Sequence, residues 1–176
     1  MDPAKLVFVD ETWAKTNMTR SRGRCPAGER LVAAVPHGHW RTTTLVAALD
    51  QRGVRCSMTL DGAVNRDAFE AFVEKVLVPT LSPGDTVVMD NLSSHKGPRV
   101  RELLEGAGAS VLYLPPYSPD LNPIEPAFAK LKQLLRSAGP RTADALWADV
   151  QRMLDLITPD DAAGFFRHDG YTLQVK

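Results

Sequence analysis

The segment from Thr86 to Lys132 constrains this chain more than any other. It opens on an apolar run that ends in a carboxylate, Thr86-Val87-Val88-Met89-Asp90-Asn91. It closes on Leu114-Pro115-Pro116-Tyr117-Ser118-Pro119-Asp120-Leu121-Asn122-Pro123-Ile124-Glu125, which feeds a helical pattern. A short β-branched run without alternation is what a strand covered on both faces requires, so the first half reads as a buried strand. Its C-terminal end delivers Asp90 to the edge where α/β sheets bind ligands. In the second half Asn122 is a preferred N-cap and Pro123 suits the first helical position, so the spacing predicts a helix with Glu125 at N3. Ile124, Phe128, Leu131 and Leu135 then recur at helical spacing and bury one side. At about 100° per residue, Lys132 and Arg136 fall within roughly 20° of Glu125 around the axis. The exposed stripe thus carries one acid and two bases, which suits a carboxylate holding a cation beside a phosphate backbone.

Lys5-Leu6-Val7-Phe8-Val9-Asp10 is a second apolar run ending in an acid. Two such strands with helical patterns between them predict an α/β sheet in which Asp10 and Asp90 lie side by side. Aspartate also ends strands because it favours turns, and either residue alone would be read that way; the pair together with Glu125 argues for a site. Ala14 to Arg30 reads as a long basic loop, and its Lys15, Arg20, Arg22, Arg24 and Arg30 are candidates for phosphate contact or for a solvated surface. Leu31–Val35 and Thr42–Leu49 are expected strands joined by a turn at Pro36–Trp40, and His37-x-His39 reads as part of that turn and not as a metal pair. Arg55–Leu60 is expected to be the third strand of a hairpin set, ending at Asp61-Gly62.

Arg66–Val78 is predicted helical, capped by Asn65, with Phe69, Phe72 and Val73 facing the core. A short helix carrying Val100, Leu103 and Leu104 should follow Asp90, and Ser110–Leu114 reads as another buried strand. His95, five residues beyond Asp90, is either a hydrogen-bond donor at the mouth of the site or a surface histidine at a helix start. Thr142 opens a helix with Leu146, Val150, Met153 and Ile157 in register. Thr158-Pro159-Asp160-Asp161 caps a last one, its paired acids acting as helix-start charges.

Lysine plus arginine and aspartate plus glutamate number 21 each, so no global field draws the chain to nucleic acid and any such contact needs local patches. Two cysteines, Cys25 and Cys56, with no apolar run near 18 residues, point to a cytoplasmic chain with free thiols and no membrane span. Residues 1–140 are expected to form the catalytic domain, with 141–176 a helical extension packed on it.

Two acids from strands and one from a helix start are what two-metal phosphoryl transfer needs: hard oxygen ligands for Mg2+ or Mn2+, two ions about 4 Å apart, and no protein nucleophile. The residues alone reach a metal-dependent, nuclease-like enzyme.

The chain also resembles the catalytic domain of DDE transposases of the mariner-like superfamily, in its bacterial insertion-sequence branch. Phe8-Val9-Asp10-Glu11-Thr12, Val88-Met89-Asp90-Asn91 and Pro116 through Glu125 carry the resemblance, and the 34 residues between Asp90 and Glu125 match that superfamily's spacing. The resemblance implies a ribonuclease-H-like mixed sheet flanked by helices, with Asp10, Asp90 and Glu125 as the catalytic and metal-binding triad. It implies hydrolysis at the ends of a transposon and attack of the freed 3′-hydroxyl on target DNA at a TA dinucleotide. Asp120 belongs to the loop by its place in the motif. Relatives carry helix-turn-helix modules ahead of this domain. Only four residues precede the first strand segment here, so end recognition is expected from another chain or is missing, and a homodimer is possible. Two alternatives stay open: a catalytically idle fragment that binds DNA or a full-length transposase, and a structure-specific nuclease on the same fold.

Overall fold

The computed structural model describes residues 2–92 and 95–171. Five strands, β1 (Leu6–Lys15), β2 (Thr42–Asp50), β3 (Gly53–Asp61), β4 (Thr86–Met89) and β5 (Ser110–Tyr113), form one mixed sheet in the order β3-β2-β1-β4-β5. β2 runs antiparallel to both β1 and β3, while β4 lies parallel to β1 and β5 parallel to β4. Among the described residues five α-helices flank it: α1 (Arg66–Phe72), α2 (Pro98–Gly106), α3 (Ile124–Ala138), α4 (Ala143–Leu154) and α5 (Pro159–His168).

Alternation along the strands divides the core into two layers. Leu6, Phe8, Leu45 and Val88 face one way and pack with Ile124, Phe128 and Leu131 of α3, Leu146 and Val150 of α4, and Phe166 of α5. Val7, Val9, Val46 and Met89 face the other way and pack with Phe69 and Phe72 of α1 and Val100 and Leu104 of α2. The uninterrupted burial read from Val87-Val88-Met89 is therefore real: both faces of β4 are covered.

Four sequence expectations change. β1 does not end at Asp10; it runs on to Lys15, paired with β2 as far as Lys15↔Thr42, because its antiparallel partner is longer than its parallel one. Leu31–Val35 forms no strand, and Val32 and Val35 are exposed: β2 already has β1 on one edge and β3 on the other, so no edge there is free to pair. β5 is an edge strand, not a doubly covered one. Its Ser110 and Leu112 face outward, while Val111 and Tyr113 pack inward beside α2. The helix expected over 66–78 keeps regular geometry only to Phe72, widens over Val73–Leu77 and tightens over Val78–Thr80, since Pro79 has no N–H to continue the ladder.

The caps predicted at Asn65 and Thr158 are present, and Thr142 supplies another. Asn65 Oδ1 accepts from the Ala68 N–H at 2.8 Å, and Thr142 Oγ1 accepts from Ala145. Thr158 and Asp161 form a reciprocal capping box, and Asp161 also pairs with Lys130 of α3, which ties α5 to the helix that positions the site. The basic loop between β1 and β2 is pinned at its base. Thr16 N donates to Arg41 O at 3.2 Å, and Arg141 Nη1, beyond the end of α3, donates to the carbonyls of Thr16 and Met18 at 3.2 and 2.8 Å.

Candidate active site

Parallel pairing brings Phe8 beside Val88 and Val9 beside Met89, so Asp10 and Asp90 occupy the next step of adjacent strands. α3 returns across the same end of the sheet and presents Glu125 in its first turn. All three acids line one cavity of about 400 Å3, together with Asn122 and the Pro115–Pro119 loop.

Asp10 is buried, 7% exposed, and both of its oxygens are held: Oδ1 accepts the Glu11 N–H and Oδ2 accepts the Asn122 amide, each at 2.7 Å. Burial pushes its carboxyl up to about 7, the Glu11 N–H opposes, and the charges of Glu125 and Asp90 push the same way as burial. Asp90 has the same sheet position and the opposite electrostatics. Burial acts to raise it, but the His95 ring and the Leu92 N–H outweigh burial and hold it below the usual carboxylate range.

The sequence placed Asn122 as an N-cap and Glu125 at N3. Instead α3 starts one residue later, with Pro123 in the cap position, Glu125 second in the helix, and the Asn122 side chain turned away to Asp10. A buried carboxylate bids more strongly for that amide than an orphan helix N–H does, because a charge-assisted bond is the stronger one. The Asn122 carbonyl still accepts the Glu125 N–H at 2.9 Å.

His95 departs furthest from expectation. It contacts neither solvent nor a site mouth: it is fully buried, stacked on Phe69 with ring centroids 4.2 Å apart, so it is excluded as a direct DNA contact. Its Nδ1 lies 2.7 Å from Asp90 Oδ1, off the axis of an aligned hydrogen bond, and its Nε2 lies 3.9 Å from Glu11 Oε2. Burial alone would lower it; the two carboxylates win and carry it to about 9. A buried imidazolium thus sits behind the site and holds Asp90 as an anion.

The remaining basic candidates fall into two groups. Lys132 Nζ lies 4.9 Å from the Trp13 ring centroid and Lys15 Nζ lies 4.8 Å from the same centroid. Burial and the neighbouring Arg136 lower Lys132, while Glu125 and Asp10 pull it up, which places it within reach of the carboxylate cluster. Arg20, Arg22 and Arg136 line a separate surface hollow along α3 with Ala129 and Gln133. Arg24 and Arg30 are exposed elsewhere in the loop and join neither group. Sequence reasoning missed Trp13 as the residue both lysines lean on, and Arg141 as the tether of the loop. Trp13's position three residues past Asp10 on the same strand was the available signal.

Among the described residues no three His, Cys, Asp or Glu side chains converge closely enough to hold one ion between them. A cation here would rest on fewer protein ligands and on water and phosphate oxygens, which is the habit of Mg2+. The donor set fits such an ion: hard oxygens only, with Asp10 held against ionisation by burial and two neighbouring acids, a cost that a divalent cation relieves.

A family model described as DDE superfamily endonuclease matches residues 5–146. No curated protein matches the chain. Among solved structures it is similar to the Mos1 mariner paired end complex with Mn, at a TM-score of 0.73 and 21% identity over 94% of this chain and 52% of that one. It is similar to the same complex with Mg, at 0.69 and 23% over 95% and 52%. A third is a pre-cleavage Mos1 transpososome, at 0.60 and 19% over 98% and 58%. At these identities the likeness establishes the fold, the expected ribonuclease-H-like mixed sheet flanked by helices. The chain spans about half the length of the Mos1 chains it matches.

Proposed function

The chain belongs to the DDE superfamily of endonucleases, and from that premise we propose that it is the catalytic domain of a DNA transposase of the bacterial insertion-sequence branch. It cuts phosphodiesters at transposon ends and joins the freed 3′-hydroxyl to target DNA of TA type. The observation that carries this reading is the meeting of Asp10, Asp90 and Glu125 on one cavity, two from neighbouring parallel strands and one from the helix that closes over them. In the first step the oxygen of water bonds to phosphorus as the bond to the 3′-oxygen breaks, and that oxygen leaves with a proton as the 3′-hydroxyl. In the second, the 3′-hydroxyl oxygen attacks a target phosphodiester and displaces its 3′-oxygen.

Asp10, Asp90 and Glu125 would hold Mg2+ or Mn2+, two ions in all. Bound there, the ions supply activation of the attacking oxygen and neutralisation of charge on the phosphoryl group. The chain's own residues set the geometry. Glu11 N–H and Asn122 fix both oxygens of Asp10. The His95 imidazolium keeps Asp90 ionised without occupying the cavity. Lys15 and Lys132 hold backbone phosphates near the acids, Arg20, Arg22 and Arg136 extend that track along α3, and Arg24 and Arg30 contact DNA separately from the exposed loop. The likeness to the Mos1 paired end complex and the pre-cleavage Mos1 transpososome supports DNA ends as substrate. A helix-turn-helix module, on this or another chain, supplies end recognition, and the working unit is a homodimer acting on DNA in the cytoplasm. Among the described residues no helix is long and apolar enough to cross a membrane.

Nicking of supercoiled plasmid in Mn2+ at low salt tests the proposal, since low salt strengthens backbone binding that lacks sequence recognition. The intact chain nicks and Asp90→Asn does not. Equal nicking by both would remove Asp90 from the reaction and the proposal with it.

A further inference from the structure

Tyr117 is the one non-glycine residue with positive φ among the described residues, at 58°, and its side chain is fully exposed, at 102% of the reference. Both features work against the isolated chain. The left-handed backbone is unfavourable for a residue with a Cβ, and an exposed phenol ring gains no burial in return. The conformation is imposed by neighbours whose own freedom is small: Pro115 and Pro116 on one side, Pro119 on the other, with Ser118 Oγ donating to Pro116 O at 3.4 Å across the turn. The loop therefore presents an aromatic ring to water, on the wall of the cavity that Asp10, Asp90 and Glu125 share.

An aromatic ring open to solvent is a stacking platform for a planar group. The planar groups of the strand that this cavity would act on are its bases, since a tetrahedral phosphate has no flat face to stack. Resting on the DNA reading given above, we propose that Tyr117 is a nucleobase-stacking residue that receives an unpaired base of the strand whose phosphodiester lies over the carboxylates. The fixed backbone puts the ring at the cavity wall before a base arrives, and stacking buries its exposed face, which gives the strained loop its use.

The test compares binding of a labelled oligodeoxythymidylate and an abasic oligomer of equal length by fluorescence anisotropy, at low salt with Ca2+ present. The intact chain prefers the thymidylate. Tyr117→Ala weakens thymidylate binding about tenfold and leaves the abasic oligomer unchanged, while Tyr117→Phe keeps the preference. Tyr117→Gly suits the left-handed backbone, so it retains the melting temperature and still loses the preference. Thymidylate binding by Tyr117→Ala at the intact chain's affinity would overturn the stacking role and leave the DNA reading standing. Failure of the intact chain to bind either oligomer would overturn the DNA reading on which the role depends.

Discussion

Neutralising Asp10 should make the metal-free chain more stable while it ends catalysis. The carboxyl is raised from 3.8 to about 7, and each unit is worth about 1.36 kcal/mol, so its ionisation costs the folded state about 4 kcal/mol at most. The sign follows from the direction. Below the unfolded value of 3.8 both states are protonated and the cost is absent; between about 4 and 7 it grows, and above 7 it is constant. Asp10→Asn removes that cost but has one acceptor oxygen where Asp10 uses two, for Glu11 N–H and for Asn122. The lost bond takes back about 1–2 kcal/mol. The net gain at pH 8 is about 2–3 kcal/mol, a rise of about 5–10 °C in melting temperature for a chain of this size. Thermal unfolding of both proteins in EDTA from pH 4 to pH 8 measures it. The gap should open as pH rises through 4 to 7 and vanish or reverse at pH 4. A variant less stable than the parent at pH 8, or a gap independent of pH, would refute the reasoning.

His95 predicts the opposite pH course. Its folded value near 9 lies above the ordinary 6.5, so its charge contribution is full below 6.5 and is lost as pH rises through 9; in urea unfolding His95→Gln should cost about 3 kcal/mol more at pH 6 than above pH 9, where only the lost packing on Phe69 remains. Asp161 is held down to about 2 by Lys130 and by the Thr158 cap, so its stabilisation is present above 3.8 and lost as pH falls through 2. Asp161→Asn should lower the melting temperature by a few degrees at pH 7, with the difference fading toward pH 2. Replacing both Arg20 and Arg22 by alanine should flatten the salt dependence of plasmid binding, lowering the slope of log affinity against log salt by about 2, with no change in the melting temperature.

Much of the fold was legible because the burial pattern of a doubly covered strand is written in consecutive residues. Thr86–Met89 and Leu6–Val9 carry it, and their acids fall at matched positions in the parallel register. Caps were legible for the same local reason, at Asn65 and Thr158. What sequence could not supply was competition between partners distant along the chain. Leu31–Val35 has strand composition, but both edges of β2 are taken. Asn122 has the chemistry of a cap, but Asp10, 112 residues away, outbids the helix for its amide. His95 reads as polar and near a turn, yet two carboxylates and the Phe69 ring make its burial possible. Tyr117 could not be read as exposed, since an aromatic between prolines is as compatible with a packed loop as with a presented one.

The most direct test of the account is Mn2+ binding to the chain without DNA, followed by loss of the free-ion paramagnetic resonance signal at pH 7.5, for the intact protein and for Asp10→Asn. The three-carboxylate account predicts that the intact chain quenches the signal and that Asp10→Asn, although folded and more stable, does not. Equal quenching by both, or none by either, would contradict the assignment of Asp10, Asp90 and Glu125 as a divalent-cation site.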